Sequence, residues 1–141
     1  MQTNYITLDD YSASIRLELV EKAARGDENI LEIVENQAIS EMKSYLSGRY
    51  DVEAIFSATG EKRHELILMF AKDITVYHLC SIREGLMTQT RIDRYNRALE
   101  WLKGVQKGEL VVDGLPRLPE EDSAARSEYL MKSNTKRVNS F

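Results

Sequence analysis

Apolar positions recur at intervals of three and four along most of this chain, the pattern of helices that each bury one face. The first signal is a helix start. Thr7 can cap, Asp10 sits three residues on to return the bond, and Ile6 with Tyr11 supplies a hydrophobic staple. A short helix to about Ala13 follows, then a second over 14–25 with Leu17, Val20 and Ala24 inward, ended by Gly26. Asp27, or Asn29 with Glu32 in capping-box position, opens a third helix in which Leu31, Val34, Ala38, Met42, Tyr45 and Leu46 form one stripe. Gly48 is placed to stop it. Residues 49–60 read as irregular, with Val52, Ile55 and Phe56 tucked under the bundle rather than paired as a strand.

The most apolar helix is predicted over 61–83, where Leu66, Ile67, Met69, Phe70, Ile74, Tyr77, Leu79 and Cys80 cover much of the circumference. A helix that is apolar on several sides is buried on several sides, which makes this one the central element. Gly85 and the run Thr88, Gln89, Thr90 form a loop, and Thr90 with Asp93 resembles another capping pair. The last helix, over 91–107, turns Ile92, Tyr95, Leu99 and Leu102 inward and ends at Gly108. Leu110, Val111 and Val112 make a short extended piece before the Asp113-Gly114 turn. The fold class predicted is all-α, a compact bundle of four to five helices around the buried central one. Beyond Pro116 regular apolar spacing stops. The chain therefore divides into a helical domain over 1–116 and a C-terminal arm over 117–141, expected to be mobile when free or to order on a partner.

Composition agrees with one core. A folded chain of 16.2 kDa buries about two-thirds of the surface it exposes when unfolded, enough for a single domain plus an appendage. An apolar content of 43% with 30% charge is ordinary for a soluble globular protein. The lone Cys80 excludes an intramolecular disulfide framework and any multi-cysteine zinc site, and points to a reducing compartment. The opening residues carry neither a basic nor an apolar run of the kind signal peptides use, and the central apolar stretch is broken by Lys72, Asp73 and His78, so no membrane partner is expected. The net charge of −4 hides an asymmetry: −6 over 1–60, +3 over 61–108 and −1 over 109–141. Surfaces of opposite sign on one small domain can complement each other between copies.

Signals for chemistry are sparse. His64 and His78 lie 14 residues apart, about 21 Å of helix rise, and cannot share a metal within one chain. Glu61 and His64 have the Glu-x-x-His spacing of di-metal bundles, but no second such pair exists. His78 reads as a partly buried, hydrogen-bonded histidine, and Cys80 as an inert core thiol. Gly104 to Gly108 lacks the Gly-Lys-Ser/Thr ending that cradles phosphate, and no serine sits in a nucleophile elbow. No cofactor, no metal and no enzymatic activity are expected. The one basic cluster is Arg83, Arg91, Arg94 and Arg97 near Tyr95, with Lys132, Lys136 and Arg137 in the arm; these are the candidate interaction residues. They fit an acidic protein surface better than sequence-specific DNA reading, since only Asn96 offers a base-reading side chain on the exposed face. A small nucleic-acid-binding or regulatory protein using the arginine patch is the alternative reading.

The order of several short pieces carries more information than any one of them. Tyr5-Ile6-Thr7-Leu8-Asp9-Asp10 is followed by Ser44-Tyr45-Leu46-Ser47-Gly48-Arg49-Tyr50, by Asp73-Ile74 with Tyr77 and Leu79, by Arg94-Tyr95 with Ala98-Leu99 and Trp101-Leu102, and by Gly108. Over residues 5–116 this series resembles the Mu-like prophage small neck protein family, formerly a domain of unknown function, which is similar to the head-tail connector proteins of tailed bacteriophages. The chain departs from the family pattern after Tyr50, where it reads Asp51 to Phe56 in place of prolines, and in a longer arm after Pro116. The resemblance implies a compact helical adaptor with no catalytic residues. Such an adaptor self-associates, as a ring or another homo-oligomer, and docks to portal, head-completion or tail proteins, with DNA passing through a lumen. It implies the host bacterial cytoplasm during assembly and the virion neck afterwards.

Overall fold

The computed structural model describes residues 4–13, 28–82 and 84–119. Among them are four α-helices: α1 (Glu28–Leu46), α2 (Val52–Ser57), α3 (Glu65–Ser81) and α4 (Gln89–Lys107). Two 3₁₀ turns precede α1 and α3, over Leu8–Ala13 and Gly60–Lys62. No strand occurs among the described residues, and one isolated antiparallel bridge joins Tyr50 to Arg117. The helix expected over 14–25, its stop at Gly26 and the cap Asp27 lie outside the described residues.

Helices α1, α3 and α4 pack pairwise, and α3 is the central one. Ten of its seventeen residues are buried: Lys72, Asp73 and Thr75 lie beside Ala71, Val76 and five of the expected apolar set, Ile67, Phe70, Ile74, Leu79 and Cys80, while Met69 and Tyr77 are half-buried. On α1, Leu31, Val34, Ala38, Met42 and Leu46 are buried as the stripe predicts, Tyr45 is half-buried, and Glu35 is buried among them. On α4 the buried positions are Ala98, Leu102, Gly104 and Val105, while Ile92, Tyr95 and Leu99 are only half-covered. Pairing of Arg97 with Asp73 and of Trp101 with Phe70 makes α4 antiparallel to α3.

Several element boundaries differ from the periodicity. Residues 52–57 form a helix, because the Asp51 carboxylate accepts from the Ala54 amide and starts one that is too short to show a period. Its Ile55 is buried and Val52 and Phe56 pack on the core, so they do tuck underneath. The central helix begins at Glu65, not 61, because His64 adopts extended backbone and caps it, its ring accepting from the Leu66 amide at 3.2 Å. Leu66 consequently faces outward, 41% exposed. Asn29 already lies within α1 and is not its cap. Gly48 does not adopt left-handed backbone, and α1 closes instead through a hydrogen-bonded turn over 47–49. Thr88, not Thr90, caps α4: its hydroxyl accepts from the Arg91 amide, and Asp93 takes a bond from the Gln89 side chain.

The end of α4 follows the sequence closely. Gly108 at φ +81° gives the chain its left-handed exit, with its amide on the Val105 carbonyl and the Glu109 amide on that of Gly104. Those two bonds constitute a Schellman motif. Leu110 then folds back over Gly104, whose missing side chain makes the room: a Cβ there would stand 2.8 Å from Leu110 Cδ1.

Candidate interaction surfaces

The arginine row on α4 encircles a buried carboxylate. Asp73 is 6% exposed and lies beneath Arg97, whose Nη2 donates to its Oδ2 at 2.9 Å. The Arg97 guanidinium also covers the Phe70 ring at 5.8 Å, and Phe70 packs on Trp101 with centroids 4.7 Å apart. Arg94 and Lys72 add positive potential around Asp73, and a small cleft is lined by Asp73, Val76, Arg91 and Arg94. Burial pushes the Asp73 carboxyl above its ordinary value, with the Arg97 hydrogen bond opposing. Arg91 donates through Nη1 to the Leu86 carbonyl, closing the loop before the helix. The row is thus partly consumed in holding α4 on α3. Arg83, Lys132, Lys136 and Arg137 lie outside the described residues.

A second polar cluster joins three helices. Glu41 of α1 accepts from Tyr95 OH of α4 at 2.8 Å through Oε1, and its Oε2 lies 2.9 Å from His78 Nε2 of α3. Tyr77 and Tyr95 stack nearly parallel with centroids 3.9 Å apart. Burial and then the Glu41 hydrogen bond push the Tyr95 phenol well above its usual range. His78 is therefore hydrogen-bonded and part-buried, as the sequence suggests. Glu41 as its partner carried no signal, because it is an ordinary surface-type residue beside the apolar stripe.

The segment before α1 is latched by two carboxylates, Asp10 part-buried and Glu35 buried. Asp10 takes two bonds from Arg63, with 2.5 Å between Nη1 and Oδ2, and Arg63 also donates to the Tyr5 and Gly60 carbonyls. Burial acts to raise the Asp10 carboxyl, but the Arg63 and Thr7 hydrogen bonds outweigh it and hold it below its usual range. The Thr7 amide and hydroxyl both donate to Asp10, so the expected reciprocal bond forms on the Asp10 side. Lys72 donates to the Asp10 carbonyl at 3.0 Å. One residue on, Tyr11 OH donates to Glu35 Oε1 at 2.5 Å. Burial raises the Glu35 carboxyl to about 7, with the Tyr11 bond opposing. Tyr5 OH is buried without a hydrogen-bond partner among the described residues.

Glu61 lies in the 3₁₀ turn while His64 caps α3, with its Nε2 2.8 Å from the Asp113 carbonyl. Cys80 is buried, and burial raises its thiol. No cluster of three metal-ligating side chains occurs among the described residues, and no described helix is long and apolar enough to cross a membrane. A cavity of about 460 Å³ opens between α2, the start of α3 and the turn at Gly114 to Pro116.

A third group of contacts ties the chain's middle to its later part. Arg49 Nε donates to the Gln106 carbonyl at 3.1 Å, and its guanidinium lies against Gly108 closely enough that a Cβ there would meet Nη2 at 2.7 Å. A cation at a helix C-terminus is favoured by the helix dipole. Tyr50 is buried and its hydroxyl accepts from the Val112 amide. Among known families, the one described as Bacteriophage Mu, Gp36 matches residues 3–131.

The chain belongs to that bacteriophage family. Searches of curated proteins and of solved structures returned no match. The Gp36 match reaches 131, past the end at 116 that the short motifs suggest, so part of the arm shares the family pattern. For this Gp36 family member the structure gives those motifs a physical reason. Arg49 and Tyr50 clasp the end of α4 and the segment after it, and Gly108 is the residue Arg49 lies against. Tyr5, Ile6 and Asp10 build the latch, while Ala98 and Leu102 meet the core. The motifs thus fall where segments distant in sequence are tied together.

Proposed function

We propose that this protein is a non-enzymatic structural component of a phage or prophage particle, a head-tail connector or neck adaptor. It acts by self-association, as a ring or another homo-oligomer, and by docking to portal, head-completion or tail proteins. The observation that carries this reading is the family match over 3–131 of the 141 residues, in the order of motifs that resembles the small neck proteins. The polar clusters support it: each carboxylate of the latch, the arginine row and the three-helix cluster is occupied by partners from its own chain. A ring needs one face to meet a different face of the next copy, and the acidic first part and basic middle of the chain favour that over a two-fold contact. The protein works in the host bacterial cytoplasm during assembly and at the virion neck afterwards.

Light scattering of the purified protein across concentration, alone and with portal or tail proteins added, tests the reading. Growth in mass with concentration or with partner is expected. A strict monomer that ignores those partners overturns it. Binding to duplex DNA that weakens steeply with salt, without self-association, would favour the nucleic-acid alternative through Arg83, Arg91, Arg94 and Arg97.

A further inference from the structure

We propose that the cavity beside the start of α3 receives the chain's own Tyr129, Leu130 and Met131, so that the arm folds back onto the domain that carries it. The cavity has an apolar floor, made by Ala54, Ile55 and Ala58 of the α2 region together with Leu66, Leu115 and Pro116. Leu66 is left open to solvent there, although it sits in the first turn of the central helix. At about 460 Å³ the space suits two or three side chains, not an extended ligand.

Chain geometry favours this occupant. The chain lines the cavity at Gly114 to Pro116, and 22 residues follow Pro119. Tyr129 to Met131 come thirteen to fifteen residues after Pro116, a reach of up to roughly 45 Å when extended, ample for doubling back. The intervening residues need only act as a tether, and a short tether gives its end a high local concentration at the cavity. That advantage belongs to the chain's own arm over any free segment.

Two further observations point the same way. The family match ends at 131, directly after the apolar trio, and leaves out Lys132, Lys136 and Arg137. The trio is also the one run of three consecutive large apolar residues beyond Pro119. Along the tether, Glu120, Glu121 and Asp122 follow Pro119 at once. Of the cations lining the cavity, Arg63 is taken by Asp10, and Lys62 has no ion pair among the described residues. The first turn of α3 adds the favourable end of a helix dipole for those acids, against the single lining carboxylate of Glu65.

The test uses the full chain with two cysteines added, Ala58→Cys and Leu130→Cys, the native Cys80 staying buried. Under mild oxidation an intramolecular disulfide, identified by peptide mapping of the monomer, should form severalfold faster than in the control pairing Ala58→Cys with Ser140→Cys. Equal rates overturn the proposal. So does a disulfide found only between chains, which would assign the cavity to a neighbour's arm. A second readout avoids the cysteines: Leu130→Asp in the full chain should speed hydrogen exchange of the amides at 66–68 severalfold, and unchanged exchange also overturns it. Neither readout depends on self-association, so each can fail while the adaptor reading stands.

Discussion

Replacing Glu35 by glutamine should remove a pH dependence that this fold carries in its core. Glu35 is 5% exposed and accepts from Tyr11 OH, and its carboxyl is raised from 4.5 to about 7, by burial first and then by Glu32 and Asp10. In the unfolded chain it ionises near its ordinary value, so between the two values the folded state holds more protons than the unfolded one. Stability therefore falls as pH rises from 4.5 through about 7 and levels off above that. At about 1.4 kcal/mol per pH unit the whole window corresponds to about 3 kcal/mol, and relaxation around the charged group reduces the measurable part to about 2 kcal/mol. The glutamine still accepts from Tyr11 but cannot ionise, so any constant cost of its buried amide cancels when slopes are compared. Urea unfolding of both proteins should be followed by circular dichroism at about half-unit steps from roughly pH 5 to pH 8. The stability of the variant minus that of the parent should grow by about 2 kcal/mol across this range. His64 and His78 are common to both chains and drop out of the difference. Parallel curves would refute the reasoning.

Three other substitutions probe the remaining buried groups. Tyr5→Phe removes a buried hydroxyl that has no partner among the described residues and should raise stability by about 1 kcal/mol in thermal unfolding, whereas a loss would mean that the hydroxyl is bonded in solution. Gly104→Ala places a methyl 2.8 Å from Cδ1 of the exposed Leu110, whose side chain can swing aside, while alanine suits a helix better than glycine by about 1 kcal/mol; stability by chemical denaturation should change by no more than about 1 kcal/mol, and a larger loss would show that Leu110 is held in place. Arg63→Met strands the Asp10 carboxylate, 13% exposed, and should cost about 2–4 kcal/mol at neutral pH. Since Asp10 titrates below its usual range in the parent, that gap should close as pH falls through the carboxylate range, and a gap independent of pH would show that packing, not charge, is lost.

The helical class, the α1 stripe and the exit at Gly108 were legible because each depends on residues near in sequence. Thr88 and Thr90 are chemically equivalent caps two residues apart, and only the path of the preceding loop, fastened by Arg91 to the Leu86 carbonyl, decides between them. Helix α2 is shorter than two turns and leaves no period to read, and its start at Asp51 emerges only in the structure. Glu35 occupies a stripe position between Val34 and Ala38, where a carboxylate argues against burial unless its partner, 24 residues earlier, is already known. For the candidate surface, spacing of three brings the α4 arginines to neighbouring faces. It could not show that Asp73 lies beneath them, because that depends on how α4 rests on α3. The latch, the Glu41 cluster and the cavity all depend in the same way on segments brought together by folding.

The clasp also determines how the domain would yield to a pull. Tension applied beyond Pro119 first meets the bridge at Tyr50 and Arg117, where the Asp51 amide bonds the Pro116 carbonyl at 2.9 Å and the Leu118 amide bonds the Arg49 carbonyl at 3.5 Å. Next in line are the contact of His64 Nε2 with the Asp113 carbonyl at 2.8 Å and the bond from the Val112 amide to Tyr50 OH, then Leu110 seated over Gly104. Each can open without disturbing α4, whose end is held separately by its Schellman bonds and Arg49. The C-terminal segment is a peel strip with four successive catches, able to extend to about 35 Å over residues 109–119 before any helix comes under load.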